Sequence, residues 1–192
     1  MKKQLFSVIL TMAVINACSQ PEHKLNFGIK MGLAFANTKL DYYNVDTRVK
    51  MKAGFMTGGF VNFPLSKNIV FQPALLYVSK GGNEFSGNGY SIPFNFDYLE
   101  VPLNILYQST GRSGTYFLGG GLSPALHLNR AYDGNEIKDI DLGINFLAGY
   151  KIPIGFSFNL AYTYGLINAT DNKEFIKTIR NRYFSITAGY EF

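Results

Sequence analysis

The sequence predicts an all-β fold: an eight-stranded antiparallel transmembrane β-barrel of up-and-down meander topology, preceded by an N-terminal signal peptide. Three observations lead there. Apolar residues alternate with polar or small ones at period two from residue 25 onward, with no 3.6-residue apolar stripe. This alternation marks off eight strand-length segments, an even number, as a barrel with both ends on one side needs. The links between them are alternately short and long, as when each set lies on its own side of a membrane.

Residues 1–19 stand apart. Lys2 and Lys3 precede an apolar run, LFSVILTMAVI (5–15), too short to span a bilayer, and the small residues of NACSQ follow. This is the build of a secretory signal peptide, which carries the chain out of the cytoplasm. Cleavage after Ser19 leaves Gln20 first and one domain over residues 20–192. The competing reading is a lipobox, INAC, in which Cys18 is acylated. After the Ser19 cut no cysteine remains, so disulfides and thiolate metal sites are excluded. The net charge of +5, two of it from Lys2 and Lys3, is small and dispersed, and it forms no basic stripe for nucleic acid.

The segments follow in order. LNFGIKMGLAFAN (25–37) puts Leu25, Phe27, Ile29, Met31, Leu33 and Phe35 on one face, with Lys30 among small residues on the other. AGFMTGGFVNF (53–63) has the weakest parity, and Phe55, Val61 and Phe63 are assigned to its apolar face. IVFQPALLYVSK (69–80) sets Phe71, Leu75 and Tyr77 against Gln72, Ala74 and Lys80. YLEVPLNILYQ (98–108) sets Leu99, Val101, Leu103, Ile105 and Tyr107 against Glu100 and Asn104. TYFLGGGLSPALHL (115–128) and DLGINFLAGYK (141–151) repeat the pattern, the latter with Asp141 and Asn145 opposite Ile144 and Phe146. GFSFNLAYTYGL (155–166) is the cleanest, Phe156 to Leu166 facing Ser157, Asn159 and Thr163. NRYFSITAGYEF (181–192) closes with Phe184, Ile186, Tyr190 and Phe192 on the apolar side. Pro73, Pro102 and Pro124 fall inside these segments, and each should mark a bulge or a local break in pairing, because a closed barrel has no free edge.

The short links are 64–68, 109–114 and 152–154, and the long ones are 38–52, 81–97, 129–140 and 167–180. Most charged side chains lie in or beside the long links, and the apolar faces carry none away from strand ends. Those faces are therefore expected to meet lipid, and the polar faces to fill the lumen. Eight strands leave a lumen just wide enough for side chains, so no open pore is expected. A carboxylate sealed there needs a partner. Lys80 is the nearest cation by hairpin geometry, and a Lys80–Glu100 pair is expected, with Lys30, Asn104, Asp141, Asn145 and Asn159 completing a hydrogen-bonded lumen cluster of structural or binding character.

Catalytic and cofactor signatures are missing from the sequence: no HExxH, no metal-ligand spacing, no phosphate-binding glycine pattern. No catalytic residue, metal or cofactor is assigned. Two alternatives remain. A lipid-A-modifying barrel (acyl hydrolase or transferase) would use His127 as base near the outer rim, oriented by Asp141 or Glu100; Ser123 lies roughly 13 Å away along the same strand at about 3.3 Å per residue, so another serine would be required. A soluble, secreted calycin-like ligand-binding barrel would turn the same apolar faces inward.

The stretches FGIKMGLAFAN, FQPALLYVSKGG, YLEVPLNILYQ, FLGGGLSPALHL, AYTYGLIN and NRYFSITAGYEF, in this order over most of residues 25–192, resemble the PorT-like outer-membrane β-barrel proteins of Gram-negative bacteria. The resemblance implies an outer-membrane location and insertion by the barrel-assembly machinery through a C-terminal aromatic signal, here Tyr190 and Phe192. Ala74 departs from the family, where an acidic residue is frequent at this place. The expected role is structural or binding, without catalysis. The partners are outer-membrane lipid and lipopolysaccharide, with an extracellular ligand of unknown identity met through the four long links.

Overall fold

The computed structural model describes residues 24–42, 49–85, 91–128, 140–167 and 176–192. The expected signal peptide, with Cys18 and the expected cut after Ser19, lies outside these residues, as do the central parts of the long links. The strands are β1 (Asn26–Tyr42), β2 (Val49–Pro64), β3 (Ile69–Phe85), β4 (Ser91–Glu100), β5 (Leu103–Thr110), β6 (Thr115–His127), β7 (Ile140–Lys151), β8 (Phe156–Gly165) and β9 (Ile176–Glu191). Every neighbouring pair is antiparallel, and β1 pairs with both β2 and β9, so the sheet closes on itself. β4 and β5 both lie between β3 and β6 and are two halves of one stave, which gives an eight-stranded barrel.

The apolar faces point outward. Phe158 is 65% exposed, and Ile29, Leu33, Ile105, Leu118, Leu160 and Ile186 are exposed beside it, while Ser157, Asn159, Thr163, Ser185 and Thr187 on the alternate positions are buried. An outward hydrocarbon-like face with a polar interior is stable only where the surroundings are lipid. The calycin-like alternative, which needs this polarity reversed, is thereby overturned. In β2, where the sequence parity was weakest, Met56, Phe60 and Asn62 are buried and Phe55 is exposed.

Several strands run further than their alternation. β1 continues to Tyr42, β2 begins at Val49, β3 continues to Phe85 and β9 begins at Ile176, all inside segments expected to be links. Beyond the hydrocarbon a ladder needs no apolar face, so hydrogen bonding outlasts the pattern that reveals it. The fourth segment begins early, at Ser91, and is interrupted at Val101–Pro102.

That interruption gathers all three prolines. Ala74 N–H donates to Pro102 O (3.0 Å), and Val101 N–H donates to Pro124 O (2.8 Å). Such antiparallel pairs normally exchange two bonds, but neither proline has an N–H to return. Pro73 faces one of two lapses in the β2–β3 ladder, between Phe60↔Ala74 and Phe63↔Phe71; the other, between Met51 and Met56, carries a register shift. The register is the same on both sides of the break, Leu76↔Glu100 and Pro73↔Leu103, so pairing is lost without a bulge.

The tight turns lie at one end. Leu65 and Ser66 N–H donate to Ile69 O (2.8 and 3.1 Å), Gly111 N–H to Gly114 O (2.8 Å) and Gly155 N–H to Ile152 O (3.0 Å). Gly155 has φ +93°, which only glycine adopts without strain. The glycines of GGG serve the wall: a Cβ on Gly121 would sit 1.8 Å from Leu103 O of the adjacent strand. The close approach they allow is backbone to backbone.

Candidate functional site: the barrel lumen

Three polar clusters are stacked along the lumen, interleaved with inward apolar side chains that include Met56, Leu76 and Val78 in one group and Val70, Leu106, Phe117 and Leu147 in another. In the outer part Glu100, 1% exposed, is ion-paired with Lys80. The register sets Leu76 opposite Glu100, so the Lys80 stem reaches back along the lumen to make the contact. Tyr183 Oη donates to Glu100 Oε2 at 2.5 Å, and Ser123 Oγ donates to the same oxygen at 3.4 Å. The Lys80 ammonium also lies 4.5 Å from the centroids of both Tyr98 and Tyr183. Its charge is thus met by a carboxylate and two ring faces in a place water does not reach. His127 stacks on Tyr98 at 5.0 Å between centroids, and the buried Asp141 accepts from the Leu142 N–H at 2.8 Å.

The middle cluster is uncharged. Asn145 Nδ2 donates to Asn104 Oδ1 (3.0 Å), and Thr163 Oγ1 donates to Asn145 Oδ1 (3.2 Å). Asn159 Nδ2 reaches Thr187 O and Oγ1 (3.3 and 3.2 Å). At the end with the tight turns, Glu191 accepts from Asn26 (3.0 Å), Asn62 (2.7 Å) and Lys151 (2.6 Å), and Gln72 donates to Asn62 (2.8 Å). Lys30 is buried near Phe60, its ammonium 5.9 Å from the ring centroid.

The residues expected to form one cluster therefore divide. Lys80 and Glu100 are joined to each other, Asn104 to Asn145; Asn159 has its own partners, and Lys30 lies apart from any carboxylate among the described residues. Sequence reasoning passed over Tyr183, Ser123, Glu191, Lys151 and Asn62 as cluster members. Parity held the signal for Glu191, which alternates with Tyr190, but its three donors come from β1, β2 and β7. Tyr183 was hidden because a tyrosine on an inward position reads equally well as packing.

Tyr190 packs against Phe156 and Phe192 on the outer surface, at centroid separations of 4.9 and 5.2 Å. Tyr116 and Tyr150, 4.5 Å apart, lie at the same end of the barrel. Aromatic residues at this level are where a membrane β-barrel carries a girdle.

Among proteins of curated function none matches this chain. Solved structures that share its fold include two outer-membrane proteins. The outer membrane protein OprG from Pseudomonas aeruginosa superposes with a TM-score of 0.58 at 13% identity, over 88% of this chain and 97% of that one. Neisserial surface protein A gives 0.51 at 16% identity, over 86% and 97%. At these identities the likeness extends to the fold alone. A family described as outer membrane protein beta-barrel domain matches residues 16–171, most of the chain. With its closed barrel, lipid-turned apolar wall and polar filled lumen, the chain belongs to that family and is a protein of the outer membrane.

Proposed function

We propose that this protein is a non-catalytic outer-membrane barrel that acts as a structural element of the envelope or binds an extracellular ligand through residues 38–52, 81–97, 129–140 and 167–180. The observation that carries this reading is the sealed lumen. Ser123 and His127, the ingredients of an acyl-transfer site, are buried inside it, Ser123 on Glu100 and His127 on Tyr98. An acyl chain in the bilayer meets the opposite face of the same strand, Leu118, Leu122 and Leu126. The family expectation of a PorT-like protein, with export by residues 1–19, insertion by the barrel-assembly machinery through Tyr190 and Phe192, and lipid and lipopolysaccharide as the immediate partners, belongs to the same proposal.

Reconstitution in planar bilayers is expected to give no steady conductance, and mass spectrometry of lipid A from cells carrying the inserted protein is expected to show no change. A stable ion current would refute the sealed lumen; loss of an acyl chain from lipid A would establish the enzyme.

A further inference from the structure

Of the three lysines that the described lumen holds, Lys30, Lys80 and Lys151, two are paired with a carboxylate. Lys80 is held by Glu100 and Lys151 by Glu191, whose two oxygens are further occupied by Asn26 and Asn62. Lys30, 8% exposed, has no carboxylate within 4 Å among the described residues; its contact is the Phe60 ring at 5.9 Å. An ammonium buried without a carboxylate at ion-pair distance carries a desolvation cost that no contact offsets.

Lys30 borders a cavity of about 20 Å³, room for one or two atoms the size of water. Lys151, Glu191, Ser157 and Asn159 border it as well. Two cations and one carboxylate leave the cavity one positive charge in excess. Ser157 is buried and its Oγ accepts from Asn159 Nδ2 at 3.5 Å, which leaves its O–H to donate elsewhere. Phe60 and Phe117 form the apolar part of the wall, and Asn62, Gln72 and Gln108 complete it with uncharged dipoles that leave the excess charge uncancelled.

We propose that this cavity binds one small monovalent anion of the halide class, held by the Lys30 ammonium and the Ser157 hydroxyl. A water molecule in the same place would satisfy a donor and leave the charge unmatched. Room for one or two water-sized atoms favours a monatomic anion over phosphate or sulfate. The site is independent of what the loops bind.

The test uses the full barrel in phospholipid nanodiscs, with chloride raised against gluconate at constant ionic strength. The midpoint of thermal unfolding is expected to rise and saturate with chloride, and the ³⁵Cl resonance to broaden in proportion to protein. Both effects should be lost in Lys30→Met and reduced in Ser157→Ala. Should Lys30→Met fail to insert, bromide-soaked wild-type crystals are expected to show one anomalous peak beside Lys30. A midpoint that follows ionic strength alone, ³⁵Cl broadening unchanged by the substitutions, or no bromide at Lys30 would overturn the proposal.

Discussion

Tyr183 on β9 donates its hydroxyl to Glu100 on β4 across the lumen, a 2.5 Å bond between residues 83 positions apart. It ties staves that are not neighbours in the wall, and its acceptor is an ion. Hydrogen bonds to charged groups contribute roughly 1.5–3 kcal/mol. Tyr183→Phe keeps the ring over Lys80 and removes the hydroxyl that donates to Glu100, so it should lower stability by about that amount. Urea unfolding of the refolded barrel in lipid vesicles measures it, and an unchanged midpoint would show the bond to be idle.

Lys80 and Glu100 should behave as a unit. Removing either partner leaves the other buried and unmatched, at a cost of about 3–5 kcal/mol. Lys80→Met and Glu100→Gln together should cost far less than their sum, because the double variant contains no stranded ion. A double-mutant cycle on unfolding free energies reads this directly, and additivity within about 0.5 kcal/mol would dissolve the pair.

Two glycines should respond oppositely to alanine. At Gly121 a Cβ would lie 1.8 Å from the Leu103 carbonyl oxygen, whereas at Gly59 the nearest atom is 3.6 Å away. Gly121→Ala should cost roughly 1–3 kcal/mol or block assembly, as overpacking does. Gly59→Ala should be neutral or slightly stabilising. Heat-modifiable mobility in electrophoresis reports the folded fraction of each.

Spin labels at Leu103, Phe158 and Ile186 are expected to show high oxygen and low nickel-chelate accessibility in bilayers, since all three side chains are exposed on the outer wall. A label replacing Ser185, one residue from Ile186 and buried, should be shielded from both reagents.

Pro102→Ala restores an N–H opposite the Ala74 carbonyl, whose own N–H already donates to residue 102 at 3.0 Å. The expected gain is about 0.5–1.5 kcal/mol, the net value of one such bond. Amide exchange at Ala74 should slow in the variant. Faster exchange would mean that the ring of Pro102 supports the wall at this point.

The lipid-facing wall was legible because hydrocarbon imposes a rule on every outward position at once; Phe158, Leu160 and Tyr162 alternate without exception against Ser157, Asn159 and Thr163. The lumen imposes no such rule. Lys80 and Glu100 could be matched because they share a hairpin, but Glu191 draws partners from β1, β2 and β7, and only closure of the barrel brings these together. The ends of β1 and β3 were illegible for another reason: outside the bilayer the backbone still pairs, and nothing in Thr38–Tyr42 or Gly81–Phe85 has to alternate.

The prolines give the cylinder a direction. Rings of uniform stiffness share a squeeze equally, but this one has a compliant panel where β3, the β4–β5 junction and β6 meet around Pro73, Pro102 and Pro124. Lateral pressure from the surrounding lipid is expected to flatten the circle toward an ellipse there first, while the staves β7 and β8, paired in unbroken register on both sides, keep their curvature.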